Sequence, residues 1–73
     1  MESVNAERVL AELVRSGSGS VWALSGRLHL APGTVRRILQ ALRQQGYVYR
    51  SDAMDGRSAV WAITPRGKAR VRQ

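Results

Sequence analysis

The sequence predicts an α+β fold: three helices, then a two-stranded β-hairpin, then a short final helix. Three observations carry this reading. Apolar residues recur at helical spacing between Ala6 and Leu42, alternation replaces that period after Gly46, and Thr64-Pro65 opens a helical stretch again. The 73 residues have room for one domain, taken as 1–73, because a chain this short buries only about 60% of the surface its unfolded form exposes. Little space is left for a buried enzyme cleft.

Residues 5–16 place Ala6, Val9, Leu10, Leu13 and Val14 on one stripe, with Asn5 as N-cap and Glu7 and Glu12 suited to the helix start. The run Ser16-Gly17-Ser18-Gly19-Ser20 is too short to divide two domains and reads as the loop that ends this helix. From Val21 to Arg43 the apolar set Leu24, Leu28, Leu30, Val35, Ile38, Leu39 and Leu42 switches phase once, at Leu30-Ala31-Pro32. Two helices therefore meet there at a tight turn. Ser25 supplies the small residue at their crossing, and His29 stands where such turns often have glycine. Pro32 suits a first helical position because its missing N–H would have had no partner, and Gly46 closes the helix in left-handed conformation, giving a helix from Pro32 to Gln45.

After Gly46, YVYRS and the stretch from Ser58 to Thr64 alternate and are rich in aromatic and β-branched residues, so both read as strands. Trp61 and Ile63 share one face, which Val48 joins from the facing strand to form core. Trp22, Tyr47 and Tyr49 have two readings, stacking on bases or covering the sheet. Between the strands, residues 52–57 supply turn chemistry, with Gly56 free to take a positive φ and Asp52 and Asp55 able to bond nearby backbone N–H groups. Thr64 is the N-cap and Pro65 the first residue of a basic helix that continues from Arg66 to Arg72.

Twelve Lys and Arg against five Asp and Glu give a formal charge of +7, and such a domain concentrates polyanions around itself. No acidic residue lies between Glu12 and Asp52, an interval holding Arg15, Arg27, Arg36, Arg37, Arg43 and Arg50. The plain alternative is a basic surface kept for solubility. Without cysteine there is neither a disulfide nor a thiolate zinc site, and the lone His29 is assigned no metal role; no cofactor is implied. The N-terminus lacks a secretory pattern and no apolar run is long enough to span a membrane, so a cytoplasmic location is expected.

The function-bearing constellation lies on the third helix. Burying Val35, Ile38, Leu39 and Leu42 turns Thr34, Arg36, Arg37, Gln40, Arg43 and Gln44 outward. Arg can engage guanine O6 and N7 with two donors, and Gln can do the same for adenine N6 and N7. Arg36, Arg37 and Gln40 are thus candidates for base contacts in a major groove. Thr34, in a first turn whose N-cap is Ala31, is a candidate phosphate contact, with a water shell on the first-turn amides as the plain alternative. Arg43 and Arg50 complete the basic set, and Arg57 at the hairpin tip is placed to reach a minor groove or its phosphates. The aspartates fix the tip and orient Arg57 or Arg50; no nucleophile, histidine or metal ligand accompanies them to make a catalytic pair.

The order helix, helix, helix, hairpin, helix is that of a winged helix-turn-helix, and Leu24 to Val71 resembles the DNA-binding core of the MarR-type family. The most specific part is the wing: Gly46-Tyr-Val-Tyr-Arg50-Ser-Asp52, Asp55-Gly-Arg57 and Ile63-Thr64-Pro65-Arg-Gly67-Lys-Ala69. The resemblance implies base or phosphate contacts from Thr34, Arg36, Arg37 and Gln40, and a minor-groove contact from Arg57. Family members carry long helices at both ends that build a dimer, whereas here the first helix is short and the last ends at Gln73. The expected reading is a small transcription regulator or a DNA-binding domain of something larger, acting as a homodimer or with a partner protein.

A second resemblance, over Val35 to Ile63, is to Z-DNA-binding winged domains, which also carry a Trp near the position of Trp61. Those domains use Asn and Tyr on the third helix where Arg36 and Gln40 stand here, and a proline pair that is absent. From a different class comes the winged-helix protein-interaction module, which calls for an apolar patch on the third helix rather than Arg and Gln. An enzyme is not predicted, because no acid, base and nucleophile form a coherent group.

Overall fold

The computed structural model describes residues 2–52 and 59–72. Among them the elements are α1 (Glu2–Ser16), β1 (Ser18–Gly19), α2 (Val21–Leu28), α3 (Pro32–Gln44), β2 (Val48–Asp52), β3 (Ala59–Ile63) and α4 (Pro65–Arg72). This is the α+β winged helix predicted from the sequence, with one strand more than expected.

The extra strand is Ser18–Gly19, which pairs antiparallel with β3 through Ser18↔Ala62 and Gly19↔Trp61, so the sheet order is β1-β3-β2. A two-residue strand has no alternation to detect; only the open edge of β3 turns this loop into sheet. The hairpin register pairs Val48 with Ile63 and Arg50 with Trp61. Because side chains alternate across a strand, Val48 and Arg50 lie on the face that Trp61 and Ile63 turn toward the helices.

Helix α1 begins at Glu2, not at an N-cap on Asn5. Residues 2–4 contain neither Gly nor Pro to stop the helix, and the Asn5 carboxamide oxygen instead accepts from Arg8 Nη1 at 3.4 Å. Val14, expected in the core, is 43% exposed, while Glu12 is only 8% exposed. The stripe centres on Val9, Leu10 and Leu13, which leaves Val14 at its edge. Nor does Glu12 serve the helix start: its carboxylate lies 3.0 Å from Arg15 Nη2 and 3.6 Å from Arg27 Nη1, linking α1 to α2. Glu7, on the other side, meets Arg70 of α4 at 2.7 Å.

The core joins Val9, Leu10 and Leu13 to Leu24, Leu28, Val35, Ile38, Leu39 and Leu42, and is closed by Val48, Trp61 and Ile63. Leu30 and Tyr47 pack at its rim. Each of the first three helices thus contributes one face to a single apolar centre, and the sheet covers it.

The turn between α2 and α3 is held by Ser25. Its hydroxyl donates to the Leu30 carbonyl at 2.6 Å, while its own carbonyl accepts from the N–H of His29 and, at 3.2 Å, that of Leu30. Arg8 Nη2 donates to the Leu28 carbonyl at 2.7 Å, where a cation meets the negative end of α2. His29 itself is left-handed, with φ 57° and ψ 41°. A side chain there is strained, so His29→Gly is expected to stabilise the protein by up to about 1 kcal/mol and to raise Tm by roughly 4–8 °C. Thermal unfolding followed by circular dichroism checks this.

At the other end of α3, Gly46 adopts the predicted left-handed conformation with φ 81°, and the helix stops at Gln44 with Gln45 as cap. Thr64 then ties the sheet to α4. Its Oγ1 accepts from the Gly67 N–H at 3.0 Å, and its hydroxyl proton faces the carbonyls of Gly46 at 2.7 Å and Tyr47 at 3.1 Å.

Candidate nucleic-acid interface

Helix α3 is held on its inner side by Val35, Ile38, Leu39 and Leu42. Fixing those four leaves Arg36, Arg37, Gln40 and Arg43 exposed and Thr34 half-buried in the first turn. Ala31 precedes the helix with extended backbone (φ −62°, ψ 142°) and makes no side-chain cap. The N-cap position of α3 therefore offers its first-turn amides no side-chain acceptor.

The predicted residues fall into two groups. Arg36 and Gln40, four residues apart and so on one helix face, meet Arg50 of β2 around a groove of about 290 Å3. Its other walls are Ser20, Val21 and Trp22 at the start of α2, and Ala59 and Trp61 of β3. None of the lining residues is acidic. Thr34, Arg37 and Arg43 share the helix but do not line this groove. Arg37 and Arg50 each already engage another group of the chain. Arg57 and Asp55 lie outside the described residues, and Asp52 is placed as the last residue of β2, its backbone paired with Ala59.

The aromatic residues separate as well. Tyr47 packs at the rim of the core, with the Arg66 guanidinium 5.7 Å from its ring centre. Tyr49 is 52% exposed on the opposite face of β2 from Val48, and Trp22, 69% exposed, lines the groove. By sequence Trp22 suits either packing or stacking. Nothing in its local pattern could place it beside Arg36, Gln40 and Arg50, since the packing of α2 and the sheet around α3 does so.

The sequence profile of the IclR helix-turn-helix domain family matches residues 5–52, more than half of the chain. The chain belongs to this family. The matched span of this IclR-type domain runs from α1 to the end of β2 and contains α2, the Ser25-held turn and α3, the parts of a helix-turn-helix DNA-binding domain. It ends before Asp55, Arg57 and the Ile63-to-Ala69 element, on which most of the wing's likeness to MarR rested.

Among solved structures, the fold is similar to YusO from Bacillus subtilis, with a TM-score of 0.88 and 24% identity over 92% of this chain and 48% of that one. It is similar also to a MarR mutant from E. coli complexed with operator DNA, with a TM-score of 0.89 and 23% identity over 94% of this chain and 50% of the other. A Lactococcus lactis ZitR mutant superposes with a TM-score of 0.87 at 20% identity, over 96% of this chain and 53% of its own. At these identities the likeness is one of fold, and the chain spans about half the length of these structures. The family shown in sequence is thus IclR-type, and the MarR likeness is one of architecture. No protein of curated function matches the chain in sequence. No helix among the described residues is long and apolar enough to cross a membrane.

Proposed function

We propose that the domain binds double-stranded DNA in a sequence-specific manner as part of a transcription regulator. In this reading α3 lies in the major groove, and residues 52–57, which join β2 to β3, lie at the minor groove. The observation that carries it is the outer side of α3: Arg36, Arg37, Gln40 and Arg43 are all exposed on a helix whose opposite side is core. Arg36, Arg37 and Gln40 read base edges, Thr34, Arg43 and Arg50 hold phosphates, and Arg57 reaches the minor groove. The MarR mutant of like fold was crystallised with operator DNA, which supports the same mode here. A protein-docking role fits less well, since the outer side of α3 offers charge where a docking helix would offer apolar surface.

Binding that rests on phosphate neutralisation must weaken with salt. A footprint of roughly four contacts, at about −0.9 per contact, gives a log–log slope near −3.6 and about a hundredfold loss between 50 and 200 mM salt. A lone domain of this footprint binds weakly, so regulation calls for two copies, or one copy and a partner protein, on adjacent half-sites.

The test is selection of bound sequences from a random duplex pool, followed by anisotropy titration of the selected duplex. Arg37→Ala is expected to narrow the affinity gap between selected and unrelated duplexes by about 5- to 100-fold. Arg57→Ala is expected to weaken both duplexes alike. Salt-insensitive binding, or no binding to any duplex at low salt, overturns the proposal.

A further inference from the structure

Trp22 is the largest exposed apolar side chain of the described residues, at 69% exposure, and it lines the groove that also holds Arg36, Gln40 and Arg50. An indole left in water forgoes the burial that ordinarily accounts for a tryptophan in so small a domain. Here it has no core role either: Trp61, 3% exposed, supplies the apolar floor of the same groove. The groove thus brings apolar indoles together with cationic and amide side chains: Trp22 from α2, Trp61 and Arg50 from the sheet, and Arg36 and Gln40 from α3. A sugar–phosphate unit has the matching chemistry, an apolar deoxyribose face joined to an anion.

We propose that this groove seats the sugar–phosphate backbone of one strand of duplex DNA, with the Trp22 indole covering a deoxyribose. Arg50, on the sheet side, takes the adjoining phosphate; with five N–H donors it can keep its partner within the chain and still donate to an anion. Arg36 and Gln40, on the helix side, remain for the base edges. Trp22 is then an affinity-determining residue on α2, outside both the reading helix and the wing. This inference rests on the DNA-binding reading above and deepens it by naming where the strand runs.

The experiment is intrinsic fluorescence of the full chain titrated with a duplex and, separately, with a single strand of the same sequence, at fixed low salt. The chain has two tryptophans, and because Trp61 also lines the groove, the same titration of Trp22→Phe gives the Trp61 contribution, which is subtracted so that the difference reports Trp22. Duplex is expected to change the Trp22 signal and to shield it from acrylamide. Trp22→Ala should lower duplex affinity about tenfold for every sequence, the order expected for covering one indole face. It should leave the salt slope unchanged, whereas Arg50→Ala should reduce that slope by about one contact's worth. Trp22→Phe should recover part of the loss.

If wild-type protein binds duplex but Trp22 stays equally open to acrylamide, or Trp22→Ala binds within twofold, the groove proposal is overturned and the DNA-binding reading stands. A tighter response to the single strand than to the duplex also overturns it, because a base and not the backbone would then fill the groove. Wild-type failure to bind any duplex removes both.

Discussion

Replacing Gly67 with alanine is expected to remove at least about 3 kcal/mol of stability, close to half of what a chain of this length holds at roughly 0.05–0.15 kcal/mol per residue. A Cβ at this position would overlap the Tyr47 carbonyl oxygen and stand 2.6 Å from Ile63 Cγ1. The side chain of Ile63 has some freedom to turn away. The carbonyl has none, because it already accepts the Thr64 N–H at 3.0 Å and faces the Thr64 hydroxyl at 3.1 Å. Retreat would pull β2 from the start of α4 and break the cap that Thr64 makes to Gly67. The gain in helix propensity from Gly to Ala, about 1 kcal/mol, works in the opposite direction and is outweighed.

Thermal unfolding should show the midpoint of Gly67→Ala lowered by roughly 12–24 °C, at about 4–8 °C per kcal/mol for a domain of this size. Gly26→Ala is the control. It lies within α2, where an added Cβ meets nothing within 4 Å, so it should be neutral or stabilising by up to about 1 kcal/mol. A fall of less than 5 °C for Gly67→Ala would mean that α4 does not approach β2 this closely.

The second large effect is expected at Arg36. Arg36→Ala should cost the selected duplex about 10- to 100-fold in affinity, the range of one bidentate base contact, and should cost unrelated duplexes much less. Arg36→Lys should recover little, because a point charge does not replace a planar fork of donors. The folded state should be indifferent: Arg36 is exposed, and no hydrogen bond or ion pair of this side chain is formed among the described residues. Lys68→Ala, exposed on α4 and not among the residues lining the groove, is the control for simple loss of charge and should shift duplex affinity less than twofold at fixed salt. Equal losses at Arg36 and Lys68 would show that general charge, rather than α3, carries the binding.

The parts of this protein that were legible in advance are those written in a short-range code. A stripe every three to four residues makes α3 and names both its buried side and, by exclusion, its outer one. Gly46 and Thr64-Pro65 mark where helices stop and start, because few residues satisfy those backbone geometries. Where two local signals compete, the helix boundary moves by a turn at most: Asn5 is a good cap, yet α1 passes through it because nothing upstream breaks the helix.

Other features had no local code to read. Glu12 is chemically a surface residue, and it is buried because Arg15 and Arg27 come to meet it from α1 and α2. Ser18–Gly19 is strand only because β3 offers an open edge.

What the sequence determined by itself is the α+β class, the order of its elements, the apolar centre and the basic outer side of α3. Each follows from periodicity and from residues with narrow backbone preferences. What only the tertiary structure decided is which of those basic residues act together. Arg36, Gln40 and Arg50 become one groove with Trp22 because packing around Leu24, Leu39 and Trp61 sets the distance between α2, α3 and the sheet. That distance is a property of the assembled core, and no window along the chain contains it.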